Sequence, residues 1–304
     1  MKKEKKVGNI IDKILLIIAL IFILGGSGIF LYPNVSNYLA EKNQVEAIRK
    51  YDEMVVKIDE KDLEEEKQKA RTYNENLSGE PVHDPFVEGS GYALPENYKE
   101  VLNISEDGIM AYIEIPKISV YLPIYHGTSS EVLEKGVGHV QSTSVPIGGE
   151  STHSVLTGHT GLPSAELFTR LDELVVGDIF YIHVLDEFLT YKVYETKVIL
   201  PNEIDELQIT SGKDYITLVT CTPYGVNSHR LLVKAERTEY IEYEESTSSS
   251  ENISEFDENS KVESSNKGKN YYLTGVEIGA VIFVIILIVI LILTMLIKKK
   301  KTEK

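Results

Sequence analysis

Residues 216–236 read ITLVTCTPYGVNSHRLLVKAE and include Cys221, the only cysteine of the chain. Ile216 to Thr220 alternates β-branched and apolar residues as a strand does, Thr222 to Ser228 is rich in turn residues (Pro223, Gly225, Asn227), and Arg230 to Ala235 resumes the strand pattern. Cys221 therefore ends one strand and Arg230 begins the next. A thiol at a strand end faces a loop, and a short excursion returns a guanidinium towards it. A free cysteine most often packs as a small hydrophobe, so the residues around this one have to decide between packing and chemistry.

Upstream, the same short-strand pattern recurs at Ile109 to Ile115, Ile118 to Ile124, Ser154 to Thr157, Ile179 to Leu185 and Leu189 to Ile199, with Asp186 and Glu187 as a hairpin turn. Ser129 to Lys135 and Ala165 to Leu171 are the short-helix candidates. Such a density of strands predicts a mostly β domain over 93–240, closed into a barrel. Before it, 32–79 is highly charged, with apolar residues at helical spacings such as Val45, Ile48, Val55 and Ile58, and is expected to form one or two amphipathic helices beyond a helix end at Pro33. Pro81, Pro85 and the glycines around them make 80–92 an extended loop, and 241–275 is a Ser-, Glu- and Asn-rich flexible tether.

Two uncharged apolar runs bracket these segments, Ile14 to Leu31 over 18 positions and Ile278 to Ile297 over 20. Each is about the 20 residues that cross a bilayer. Lys2, Lys3, Lys5 and Lys6 could also be the start of a cleaved signal peptide. The length of the run and the lack of a small-x-small site favour an uncleaved anchor over 14–31, with a second span over 276–297. Lysines lie outside both runs, in 1–13 and 298–304, which places both termini in the cytoplasm and the domain between them outside the cell. The net charge of −16 is concentrated in that middle portion, which argues against a nucleic-acid partner. In an oxidising compartment a lone cysteine has no internal disulfide partner, which tips Cys221 towards chemistry or an intermolecular link.

Thr217, Leu218, Val219, Thr220, Cys221 with Arg230 downstream resembles the sortase signature, in which T-L-x-T-C carries the nucleophile and an arginine completes the site. Leu156 to Pro163, LTGHTGLP, is similar to the segment that carries the family's catalytic histidine, and Ile115 to Ile118 and Pro123 to Gly127 resemble its early strands. Thr160 stands where many relatives have arginine. Asp84, Pro85 and Phe86 match the Asp-Pro-aromatic lid of the pilus-assembly, class C members. The resemblance covers roughly residues 80–240 and implies an eight-stranded sortase barrel with N-terminal helices and a lid loop, flanked by two transmembrane helices.

It further implies that Cys221, His159 and Arg230 form the catalytic set. His159 sits on a glycine-flanked loop after a strand, where an imidazole can manage a thiol whose free pKa is about 8.5. Of the other six histidines, His83 belongs to the lid and His139 is a candidate for shaping the pocket or simply for packing; none shows metal-ligand spacing with Cys221. Thr220 is expected to assist through its hydroxyl. The implied reaction cleaves an L-P-x-T-G-like motif between Thr and Gly through a Cys221 thioester, resolved by a pilin lysine in polymerisation or by a cell-wall amine in anchoring, without cofactor or metal. Three rivals fit less well. A sorting substrate should carry Leu-Pro before Thr274-Gly275, and Leu273 precedes them alone. A silent adhesin has no use for the set His159, Cys221 and Arg230. A papain-like hydrolase places cysteine before histidine, the reverse of the order here.

Overall fold

The structure is a computed structural model and describes residues 2–77, 97–105, 107–203, 205–243 and the single positions 283, 287 and 290. The expected lid, 80–92, and nearly all of the tether and second span lie outside the described residues. The chain divides into two compact units, Met1–Tyr38 with Ile253–Lys304, and Leu39–Asn252.

In the first unit the described chain is the beginning of helix α1, Lys2–Lys57. It is long and apolar enough to cross a membrane, the single such helix among the described residues. The expected helix end at Pro33 is corrected: α1 runs through it. Proline inside a helix removes one hydrogen bond and costs about 3 kcal/mol, which breaks a short helix but not one continued by good helix formers on both sides. Ser36 Oγ donates to the Tyr32 and Pro33 carbonyls at 2.8 and 3.2 Å in the same turn.

In the second unit the end of α1 and helix α2, Glu60–Glu75, pack on a closed barrel. Asp59 caps α2 by accepting from the Asp62 amide at 2.9 Å, which answers one of the orphan donors of a helix start. The strands are β1 Ile109–Ile115, β2 Val120–His126, β3 Val137–His139, β4 Thr152–Thr157, β5 Ile179–Val184, β6 Glu187–Ile199, β7 Asp214–Thr222 and β8 His229–Thr238. Their order around the barrel is β1-β2-β3-β4-β7-β8-β6-β5. The pairs β2–β3 and β4–β7 are parallel and the other neighbours antiparallel. Short helix α3, Ser130–Lys135, is capped by Ser129 and leads into β3.

The alternation of side chains along each strand separates apolar clusters on its two faces. Ile113, Ile124, Leu156, Phe180, Ile216, Leu218 and Val233 fill the main core. Val140, Val155, Ile199, Leu207, Val219 and Leu232 form a smaller cluster on the outer face of the same sheet. Tyr51 ties α1 to the barrel, donating to the Met110 carbonyl at 3.1 Å and accepting from the Leu185 amide at 2.8 Å. Asn74 does the same for α2 through both the carbonyl and the amide of Val145, at 3.1 and 2.8 Å.

Three local expectations are revised. Val184 pairs with Glu187, so the β5–β6 turn is Leu185 and Asp186, one residue earlier than the composition suggests, with Leu185 at φ 53°. Ala165 to Leu171 is a series of turns rather than a helix, because Leu167 takes φ 43° and the Phe168 amide leaves the helical pattern to donate to the His159 carbonyl at 3.1 Å. Finally, β3 is an additional strand of three residues.

Candidate active site

Strand register assembles the site. In the parallel pair β4–β7, Thr157 lies opposite Val219, and the ladder continues beyond the strand: the Gly158 amide donates to the Val219 carbonyl at 3.2 Å. Thr220 Oγ1 returns a bond to the Gly158 carbonyl at 2.7 Å. His159 and Cys221, the next residues on each chain, therefore leave the ladder side by side. In the antiparallel pair β7–β8, Cys221 lies directly opposite Arg230, a relation that brings Cβ atoms within about 4.5–5.5 Å. All three sequence candidates thus converge on one rim of the barrel.

Cys221 and Arg230 also share a face: Cys221 is two residues beyond Val219 and Arg230 two before Leu232, both members of the outer cluster. On a strand such spacings keep the same side. The apolar cluster is consequently a floor that leads up to the thiol and the guanidinium, beside which the His159 loop leaves β4.

The loops at this rim are held firmly. Between β7 and β8 the Thr222-Pro223 bond is cis, and the Val226 and Asn227 amides both donate to the Pro223 carbonyl, at 3.0 and 2.9 Å. Gly225 and Asn227 accept the positive φ values, 73° and 60°, that close this turn. Arg230, 8% exposed, donates from Nη1 to the Asn227 and His229 carbonyls at 3.2 and 3.1 Å. Its guanidinium is thereby held against the turn that precedes it.

The His159 loop is clamped from below. A Cβ at Gly158 would stand 2.9 Å from the Phe168 ring, so only glycine lets this buried ring lie against the backbone. The Gly161 amide donates to Thr169 Oγ1 at 3.0 Å, and Tyr224 from the β7–β8 turn packs on Gly161, which has φ 70°. The two loops that carry histidine and thiol thus touch through an aromatic ring. His159 and Cys221 are both half-buried. Burial pushes the His159 imidazole below its ordinary value, and the charge of Glu134 opposes that shift.

The remaining candidates fall elsewhere. Thr220 is buried and reaches the catalytic loop through its bond to Gly158. His139 does not border the rim. It pairs with Leu156 of the main core, is fully buried, and its ring meets Tyr98 Oη at 2.9 Å, the Ser144 carbonyl at 2.8 Å and Thr143 Oγ1 at 3.2 Å. The ring is packed and hydrogen-bonded inside the domain, and burial lowers its pKa to about 3. Asp84, Pro85 and Phe86 lie outside the described residues. The sequence reading did not single out Phe168, Tyr224 or Glu134; Gly158 and Gly161 were the visible trace of the first two, since each marks a close approach to its backbone.

A thiol, an imidazole and a guanidinium above an apolar floor suit acyl transfer to sulfur, with a proton carrier and a cationic donor at hand. Comparison with known proteins agrees. A sortase domain model matches residues 113–238. Sortase D of Bacillus subtilis is 34% identical over 113 residues, and the chain spans about half, 54%, of that relative's length. Among solved structures, sortase C of Streptococcus pneumoniae is 44% identical with a TM-score of 0.59, over 64% of this chain and 97% of that one. Sortase C-1 of Actinomyces oris is 49% identical with a TM-score of 0.56, over 59% of this chain and 99% of that one. With its barrel order, the rim it builds and these relatives together, the chain belongs to the sortase family, and within it to class C.

Proposed function

We propose that this protein is a membrane-anchored transpeptidase that joins pilin subunits. The observation that carries the reading is the register by which β4, β7 and β8 deliver His159, Cys221 and Arg230 to one rim. Cys221 sulfur attacks the Thr carbonyl of an L-P-x-T-G-like signal; an S–C bond forms while the C–N bond to Gly breaks. His159 delivers the proton that the departing amine takes up. Arg230 faces the oxyanion and the peptide backbone, a donor role worth about 3 kcal/mol. A lysine amine of a second pilin then attacks the thioester, an isopeptide bond forms, and the sulfur leaves as the thiol. The outer cluster from Val155 to Leu232 supports a groove for the apolar part of the signal.

The solved sortase C of Streptococcus pneumoniae is described in terms of pilin substrate specificity, which favours a pilin lysine over a cell-wall amine as acceptor. The apolar helix within α1 and the run 278–297 support an arrangement with both termini in the cytoplasm and the barrel outside. The match of Asp84, Pro85 and Phe86 to the class C lid supports the reading of a lid in which a carboxylate would pair with Arg230 and an aromatic ring would cover the thiol. Asp84→Ala and Phe86→Ala should each speed alkylation of Cys221, and unchanged rates in both would remove the lid from the mechanism.

The central test incubates the full chain in detergent with an L-P-x-T-G peptide and a purified pilin, followed by intact and peptide mass analysis. A thioester on Cys221 and an isopeptide to a pilin lysine are expected. Transfer only to a cell-wall peptide amine would move the enzyme to surface anchoring. An adduct that survives in Cys221→Ala would overturn the reading altogether.

A further inference from the structure

The junction of α3 and β3 bears on His159 in a way the barrel topology makes specific. Strands β3 and β4 are antiparallel, with Gly138 opposite Thr157 and His139 opposite Leu156. Continued outward, this register sets Gly136 against His159 and brings the last turn of α3, with Glu134 and Lys135, beside the histidine loop. The junction is not free to drift. The Gly136 amide donates to the Val132 carbonyl at 3.1 Å, and a Cβ at Gly136 would lie 2.7 Å from the Pro123 carbonyl oxygen, so β2 presses on it. Gln44 of α1 donates to the Lys135 carbonyl at 3.0 Å. Of the neighbouring α3 charges, Glu131 and Lys135 form an ion pair at 2.5 Å.

We infer that Glu134 is a positioning residue for His159: its carboxylate, carried by the α3–β3 junction, stabilises the imidazolium that forms each time the ring takes or delivers a proton. The inference rests on the reading of His159 as the proton carrier and adds a second electrostatic partner to it. Other charged and polar groups lie on the elements around it: Cys221 on β7, Arg230 at the start of β8, Tyr224 on the turn between them, and Glu166 with Arg170 on the following loop, where Arg170 pairs with Glu173 at 2.7 Å. Burial disfavours imidazolium at His159. A carboxylate beside the loop restores the balance, so that the ring exchanges protons nearer to neutral pH. The balance is needed because a ring that stayed neutral throughout could not protonate the departing amine.

Glu134 is exposed, so its replacement leaves packing intact. The test uses the full chain in detergent with ring-labelled histidine, His159 being assigned by loss of its signal in His159→Gln. In Glu134→Gln the His159 pKa should fall by about half a unit, the size of a Coulomb interaction across several ångströms near a surface. It should fall less in Glu134→Asp, and the difference from wild type should shrink in 1 M salt, where the Debye length is about 3 Å. Thioester formation should lose a few-fold in the Gln variant, with the loss depending on pH and the melting temperature unmoved. An unchanged His159 pKa, or an equal fall in the Gln and Asp variants at every salt concentration, overturns the inference. Separately, full activity in His159→Gln would overturn the proton-carrier reading while leaving the measured coupling to Glu134 standing, so the two failures are distinguishable.

Discussion

His139 and His159 lie on neighbouring segments of one sheet and live in opposite regimes. His139 is on the core face, fully buried, with its ring engaged by Tyr98, Thr143 and Ser144. His159 is half-buried on the loop after β4, whose backbone is tied to Phe168 and Thr169. Burial lowers both imidazoles, but only His159 has a carboxylate opposing the shift. The inner ring is locked neutral as structure. The outer ring is left able to carry a proton, and the difference follows from burial and from what each neighbour supplies.

The comparison breaks most sharply at the site. Cys221→Ala should abolish thioester formation, a loss of more than about 10⁴-fold, His159→Ala about 10³-fold or more, and Arg230→Ala about 10²–10³-fold. His139→Gln should keep substantial turnover per folded molecule, because its ring touches no reacting group. Single-turnover assays with the L-P-x-T-G peptide separate the two classes, and a loss in His139→Gln as deep as in His159→Ala would erase the distinction.

Next in size is the clamp beneath the outer histidine. Gly158→Ala drives a methyl to 2.9 Å from a Phe168 ring that is itself fully buried. Overpacking of this kind costs about 1–3 kcal/mol and displaces the loop that carries His159. The variant should melt lower and lose activity together, and Phe168→Leu added to it should recover part of both, as contacting residues do not act additively. Simple additivity in the double variant would show that ring and glycine do not compete for the same space.

Acid sharpens the contrast from the other side. His139 has a folded pKa of about 3 against about 6.5 unfolded. Between these values the unfolded chain binds the extra proton, so stability rises with pH there and is lost on acidification from about 6.5 towards 3, by about 1.4 kcal/mol per pH unit. Above 6.5 the group contributes no slope. His153, also lowered by burial, adds in the same direction, while Asp214, raised by burial, opposes it. Melting curves of the full chain at pH 7, 5 and 4 should show the decline, and His139→Gln should flatten it.

How much of this was legible beforehand depends on whether the signal is local. Strand β1 was readable to the residue because Ile109–Ile115 is an apolar run bounded by Gly108 and Pro116. The turn after Cys221 was equally plain from Pro223, Gly225 and Asn227. Strand β3 was not, because three residues flanked by Gly136 carry no periodicity, and it exists only through pairing with β2 on one side and β4 on the other. Ala165 to Leu171 has helical composition, yet the need to lay Phe168 on Gly158 overrides it. At the site His159, Cys221 and Arg230 were picked out through the resemblance of their segments to the sortase signature. Their supports, Phe168, Tyr224 and Glu134, were not, since each acts across a distance that only the register defines.

The smallest effect isolates how the two strands of the site are coupled. Thr220 Oγ1 donates to the Gly158 carbonyl at 2.7 Å, joining the residue before the nucleophile to the residue before the histidine. Thr220→Val keeps the shape and the β-propensity and removes the donor, leaving a buried carbonyl without it; the cost is about 1 kcal/mol. If that bond sets the spacing of thiol and imidazole, turnover should fall more than stability, with KM nearly unchanged, whereas Thr220→Ser should retain most of both. A loss confined to the melting temperature would reduce Thr220 to ordinary strand packing and leave the β4–β7 ladder alone to align Cys221 with His159.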